Sequence, residues 1–277
     1  MRHTSRASSR PKILRARSST SCVTEPSATA SLVADYVPLW IAGAIRGRVR
    51  RDLLPLLREF PEIDSAELGL RLRDANASRP VRSRRLQALA QRLRARGWIA
   101  DWRNELCAVL DENGAELARC ERGLFRTLGL QNRAVHINGY RSDGRLWIAR
   151  RSPQKRADPG MLDNLAAGGV GAGESLRRTA MRELWEEAGV PAALARRVDF
   201  PGMVIRSLRE TRYGVHDELV IVADILLPDG FEPSGRDGEV QEFMCLPTEA
   251  VHAALERGEF TVEAAMATRE WLQRRTA

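Results

Sequence analysis

Residues 168–190 read GGVGAGESLRRTAMRELWEEAGV, and the fold of this chain turns on them. Glu183, Glu186 and Glu187 stand at i, i+3 and i+4, so a helix would carry all three on an arc of roughly 100°. Like charges at that spacing repel and weaken the helix. A hard divalent cation removes the penalty, because Mg²⁺ is held by carboxylate oxygens and shares its shell with substrate phosphates. The preceding loop has glycine at 168, 169, 171 and 173, which lets backbone approach a ligand closely. Gly189, followed by Pro191, stops the helix just after the last paired carboxylate. Leu176, Ala180, Leu184 and Ala188 supply a packing stripe. The plain alternative is a solvated acidic helix face; the glycine loop and the sharp termination favour a metal site on a loop–helix element.

The spacing G-x5-E-x7-R-E-U-x-E-E-x-G-U, with U aliphatic, resembles the Nudix box. Gly168, Glu174, Arg182, Glu183, Leu184, Glu186, Glu187, Gly189 and Val190 fill its specified positions without a departure. The resemblance implies an α+β chain holding a Nudix α/β/α sandwich, a mixed sheet between helices, and hydrolysis of a diphosphate linked to another moiety. It further implies that Glu183, Glu186 and Glu187 ligate Mg²⁺ or Mn²⁺, with the loop carbonyl at Gly168 or Gly169 completing the shell. Arg182 would orient the carboxylates. Glu174 would support the helix start or a further ion.

The flanks of the box extend this reading. Residues 134–140 alternate as a strand, Ser142-Asp143-Gly144 turns, and 146–150 returns, an antiparallel opening. Arg150, Arg151 and Lys155 follow at the strand end, placed to hold phosphate oxygens, arginine by a two-pronged contact and lysine as a point charge. Surface charge beside a loop is the alternative for each. A carboxylate outside the helix is needed to take a proton from the nucleophile. Glu239, ahead of a strand over 243–246, is favoured; Glu218 is second, and Glu242 is a further candidate. His136, His216 and His252 are isolated and read as structural.

The order RGLFRTLGL (122–130), VHINGY (135–140) and LWIARRS (146–152), continuing to the box, resembles one Nudix branch labelled thiamine pyrophosphokinase-related, whose members carry an uncharacterised N-terminal domain. The similarity spans residues 35–275. It implies removal of one phosphate from thiamine diphosphate or its oxidised analogues. The kinase in that label is not implied, since the box is a hydrolase signature.

Composition bounds the remainder. The chain has 277 residues, 43% hydrophobic and 29% charged, ordinary for a soluble globular protein. No apolar run reaches the roughly 18 residues that span a bilayer, so no membrane partner is expected. Scattered Cys22, Cys107, Cys120 and Cys245 point to free thiols and a cytoplasmic location. The net charge of +8 is almost entirely arginine, with lysine only at 12 and 155. The arginines over 79–96 alternate with a buried stripe of Leu86, Leu89, Ala90 and Leu93, so a solvated helix face is expected and no nucleic acid. Residues 1–30, rich in Ser and Arg, read as a disordered basic tail, a transit segment or a misassigned start.

Three segments result: a tail over 1–30, a smaller α+β domain over 31–128, and the Nudix domain over 129–277. In the middle segment a helix is expected over 39–57, a strand or loop pair over 60–72, a helix over 83–96, a strand over 98–102, and a hairpin from 106–110 into 116–119. A cap over the substrate or a homodimer contact is its expected role. Two other functions share the fold. An isopentenyl diphosphate isomerase-like enzyme resembles a cysteine–glutamate proton shuttle, yet residues 162–173 hold no cysteine. A binding or regulatory module would usually lose box carboxylates, and this chain keeps them all.

Overall fold

The computed structural model describes residues 35–73, 77–99 and 102–276, and the tail over 1–30 lies outside them. The N-terminal half opens with β1 (Tyr36–Ile41) and β2 (Ala44–Arg50), then a 3-10 turn (Arg51–Leu53) and α1 (Leu54–Arg58). A second hairpin, β3 (Ile63–Ala66) and β4 (Gly69–Leu72), completes a sheet in the order β2-β1-β4-β3. Of the helix expected over 39–57, the part up to Arg50 is therefore a hairpin, and only the end from Arg51 onward is helical. Ala42 at φ 52° and Gly43 at φ 82° close its turn, and burial then follows a period of two: Leu39, Ile41 and Val49 are interior while Ile45 is exposed. The spacing of Trp40, Ile41, Ala44 and Ile45 fits a helical face equally well, and the turn decides between them.

Helix α2 (Arg79–Ala95) buries Leu86, Leu89, Ala90 and Leu93, as its periodicity predicts. Several of its arginines are used for packing: Arg94 lies 4.5 Å over Trp102, and Arg92 and Arg96 flank Phe60. No strand forms among the described residues of 98–102. Next come the hairpin β5 (Leu106–Leu110) and β6 (Glu116–Glu121), and α3 (Gly123–Leu128). Cys107 and Cys120 sit opposite each other in that hairpin as free thiols, and burial pushes Cys107 up to about 11.

The C-terminal half is built on a mixed sheet ordered β11-β12-β7-β8-β13. Its strands are β7 (Gln131–Tyr140), β8 (Leu146–Arg151), β11 (Val204–Thr211), β12 (Gly214–Leu226) and β13 (Val240–Leu246). β7 and β12 run parallel through ten paired positions, from Asp217–Gln131 to Leu226–Tyr140. Short strands β9 (Leu162–Asp163) and β10 (Ala166–Gly169) pair with β8 and β7. Helices cover both faces. On one, α4 (Leu176–Ala188) sets Ala180, Leu184 and Ala188 against Val135, Ile137, Ile221 and Ala223, with the short α5 (Ala192–Ala195) beside it. On the other, α6 (Thr248–Glu256) and α7 (Val262–Thr276) cover the sheet: Val220 and Val222 meet Ala267, and Leu146 and Ile148 meet Trp271. Alternate residues of β12 thus enter different cores, which fixes its register. This is the expected α/β/α sandwich.

Candidate active site

Helix α4 is bounded by its own sequence. Ser175 caps the start, its hydroxyl accepting from the Arg178 N–H at 3.2 Å. Gly189, at φ 64°, ends it in the left-handed conformation, and the Val190 N–H returns to Leu184 O at 2.9 Å. The packing stripe then forces the acidic positions beneath β10. Glu183 is 8% exposed and Glu187 9%, while the Glu186 side chain, at 45%, reaches the cavity rim.

Each box residue has a defined contact. A Cβ on Gly168 would stand 1.9 Å from Glu183 Oε1, so only glycine leaves room for that carboxylate. The Ala167 N–H donates to Glu187 Oε2 at 2.8 Å. Arg182 Nη1 donates to Glu183 Oε1 at 2.6 Å and Glu186 Oε2 at 3.1 Å; its Nη2 reaches Gly169 O and Glu174 Oε2, each at 3.3 Å. Glu174 also accepts from Thr179 Oγ1 at 3.0 Å and from the Gly171 N–H at 3.3 Å, which binds the loop to the helix start. Burial pushes the Glu183 carboxyl up to about 7 against the pull of Arg182. Glu187 is driven well above the carboxylate range, by burial first and by the charge of Glu183 second.

The loop ahead of β13 docks on the end of α4. Ser234 N–H donates to Ala188 O at 3.1 Å, Arg236 N–H to Glu186 O at 2.9 Å, and the Arg236 guanidinium lies 3.8 Å over the Trp185 ring. A Cβ on Gly189 would meet Ser234 O at 2.7 Å, so the terminating glycine also admits this loop. The result sets carboxylate oxygens of Glu187, Asp237 and Glu239 within 4.8 Å of one another. Burial pushes the Glu239 carboxyl up, but the bond it accepts from Lys155 and the charges of Lys155, Arg103 and Arg151 together hold it below its ordinary value.

The other expected residues fall out differently. Arg151 lines the cavity and donates to Asp163 at 2.8 Å. Arg150 is outside the lining: it donates to Glu242 at 2.7 Å and Gly160 O at 3.0 Å, tying the strand end together. That contact occupies Glu242 as well. Glu218 lines the cavity and accepts from Asn132 at 3.3 Å. His216 Nε2 lies 3.1 Å from Glu263 on α7.

The cavity measures about 750 Å³ and is shared by the two halves of the chain. Trp98, Arg122 and Phe125 line it from the N-terminal half; Glu183, Glu187 and Glu239 line it from the other. Across the seam Cys107 bridges Gly171, and the Ala172 N–H donates to Leu106 O at 2.8 Å. The N-terminal half therefore packs against the glycine loop at the cavity. Sequence reasoning missed Arg122 and Asp237 as site residues. Asp237 shares the loop of Glu239, and Arg122 opens the quoted RGLFRTLGL stretch, but no spacing rule carries either to the box.

Comparison with known proteins agrees with this architecture. Residues 130–266 match the NUDIX domain, and residues 17–132 match a domain of unknown function, DUF4743. "Nudix hydrolase 24, chloroplastic" of Arabidopsis thaliana is 31% identical over 233 residues, covering 82% of this chain and 64% of that protein. "Nudix hydrolase 20, chloroplastic" of the same plant is 31% identical over 240 residues, with the same 82% and 64% coverage. The uncharacterized protein YJR142W of Saccharomyces cerevisiae is 29% identical over 192 residues, 64% of this chain and 56% of its own length. The chain thus spans a little under two thirds of the plant relatives it matches. It carries a NUDIX domain behind a DUF4743 domain and has Nudix hydrolases as homologues.

Proposed function

We propose that the protein is a divalent-cation-dependent hydrolase that cleaves a diphosphate linked to another moiety. The observation that carries this reading is the pair Glu183 and Glu187, buried side by side at a cavity lined by both arginines and carboxylates, with their carboxyls pushed upward. Burial of two neighbouring carboxylates with one guanidinium in direct contact is costly. A cation at that point relieves the cost, and the donor set suits a hard ion. Glu183, Glu186, Glu187 and the Gly168 carbonyl would hold Mg²⁺ or Mn²⁺; the Gly169 carbonyl already accepts from Arg182. Such an ion, when bound, neutralises diphosphate charge and lowers the pKa of water.

The chain's own groups supply the remaining work. Arg182 holds Glu183 and Glu186 in place through one nitrogen. Glu239, kept ionised by Lys155, takes the proton from the attacking water; Glu218 is the second candidate for that role. Lys155 and Arg151 line the cavity within reach of phosphate oxygens. The volume lies in the range of about 300–1,000 Å³ typical of small-molecule sites. Thiamine diphosphate and its oxidised analogues lead the substrate candidates on sequence resemblance, with the monophosphate as product. A cytoplasmic enzyme acting on small molecules, with no nucleic-acid or membrane partner, is the form of the proposal. Among the described residues no helix is long and apolar enough to cross a membrane.

The direct test is a screen with Mg²⁺ and Mn²⁺ against thiamine diphosphate, its oxidised analogues, nucleotide sugars, dinucleotides and nucleoside triphosphates. Release of phosphate or a monophosphate from one of them, lost in Glu187→Gln, is the expected result. Uniform inactivity of the metal-loaded wild type would end the reading.

A further inference from the structure

The N-terminal domain grips the glycine loop at three places. Cys107 bridges Gly171, and Arg119 Nη2 stands 3.2 Å from where a Cβ on Gly173 would sit. The third contact is Arg122 on Gly169. A Cβ there would meet Arg122 Cζ at 3.3 Å, Nη2 at 3.4 Å and Nη1 at 3.5 Å, so the guanidinium lies against the bare α-carbon. Adjacent glycines thus admit opposite charges: Gly168 makes room for the Glu183 carboxylate and Gly169 for the Arg122 guanidinium.

Arg122 is held firmly. Its backbone N–H donates to Glu105 O at 2.8 Å, and Nη1 donates to Glu105 Oε2 at 2.9 Å. It immediately precedes α3, whose Leu124, Phe125 and Leu128 are buried in the N-terminal core. A half-exposed pair with Glu105 alone contributes only about 0–1 kcal/mol, and such a pair needs neither a glycine beneath it nor a place on the cavity wall. Arg122 has both. The cavity wall is where a diphosphate gripped by box-bound cations would present its outer oxygens.

We propose that Arg122, delivered by the N-terminal domain of the same chain, binds a non-bridging phosphate oxygen of the substrate diphosphate. The proposal rests on the hydrolase reading. With one nitrogen fixed by Glu105, the guanidinium is pre-oriented, and its remaining N–H groups suit a phosphate in a way a lysine ammonium does not. On this view the DUF4743 domain supplies a binding group as well as a cover.

The test uses the full chain and imidodiphosphate, a non-hydrolysable diphosphate, titrated by calorimetry in the presence of Mn²⁺. Mn²⁺ binding alone is followed in parallel. Arg122→Gln is expected to weaken imidodiphosphate at least about tenfold and to leave Mn²⁺ affinity within about twofold. Arg122→Lys keeps the charge and the stem, so it covers the case in which the glutamine variant does not fold. It should still lose at least about threefold, for want of the two-pronged contact. Imidodiphosphate affinity equal to wild type in either variant would overturn the assignment. So would an equal loss of Mn²⁺ binding, which would make Arg122 a support of the metal loop. A wild type that binds neither Mn²⁺ nor imidodiphosphate would instead overturn the hydrolase reading itself.

Discussion

Glu183 on α4 and Glu263 on α7 are buried alike, at 8% and 7% exposure, yet their environments act in opposite directions. At Glu263 burial is outweighed by His216 at 3.1 Å, by Arg209 at 3.1 Å and by the Ser207 hydroxyl at 2.7 Å, and the carboxyl is held far below the usual range. At Glu183 burial wins over Arg182, and at Glu187 the nearest charge is another carboxylate, so both are pushed up. The first cluster has cationic partners within the fold. The second has a single guanidinium, Arg182, in direct contact, and on the proposed reading a bound cation supplies the rest. Burial of an acid therefore says little about function until its partners are counted.

The largest effect that separates the two clusters is on turnover. Glu186→Gln or Glu187→Gln should lower the rate of diphosphate hydrolysis at least about a hundredfold, with far-UV circular dichroism unchanged. Glu263→Gln should leave the rate near wild type. Substituting Glu239 by Gln comes next, at about 10²-fold or more. Because its carboxyl is held below the ordinary value, the wild-type rate should rise on the acid side and level off well before neutrality, and the variant should lose that acid limb.

Stability gives a smaller, reversed contrast. Glu263→Gln leaves Arg209 and His216 without their carboxylate and should cost roughly 1.5–3 kcal/mol in urea unfolding. The smallest effect is in the pH dependence of the metal-free protein. Glu183 titrates near 7 in the fold against 4.5 as an ordinary carboxyl, so its contribution is complete below pH 4.5 and is lost as pH rises through about 7. Glu263 has the opposite sign, contributing above its unfolded value and losing it only in acid. Between pH 5 and 8 without metal, the Tm of wild type should therefore fall relative to that of Glu183→Gln, and Mg²⁺ should remove the fall. A flat difference across that range would show that Glu183 is already neutralised by the protein.

The box, its stop at Gly189 and the strands beside it were legible in the sequence because local spacing alone determines them. The hairpin over residues 36–50 was not, because Trp40, Ile41, Ala44 and Ile45 satisfy both a helical and a strand period, and the turn at Ala42-Gly43 carries no strong signature. The sequence favours Glu239 over Glu218 and Glu242 only by its place ahead of a strand; the docking of Ser234 and Arg236 on the end of α4, which sets it beside Glu187, leaves no local pattern. Arg150 looked equivalent to Arg151, yet one side of the strand end leads to Glu242 and the other to the cavity. Arg122 reaches the box only through the association of the two domains, which no local pattern records.

Titration of the purified protein with Mn²⁺, followed by electron paramagnetic resonance, addresses the buried pair Glu183 and Glu187 without reference to any substrate. Saturable uptake is expected in the wild type and in Glu263→Gln, with loss in Glu187→Gln and in Glu183→Gln. Uptake that survives removal of Glu183 and Glu187, or none in the wild type, would contradict the claim that these buried carboxylates exist to grip a cation.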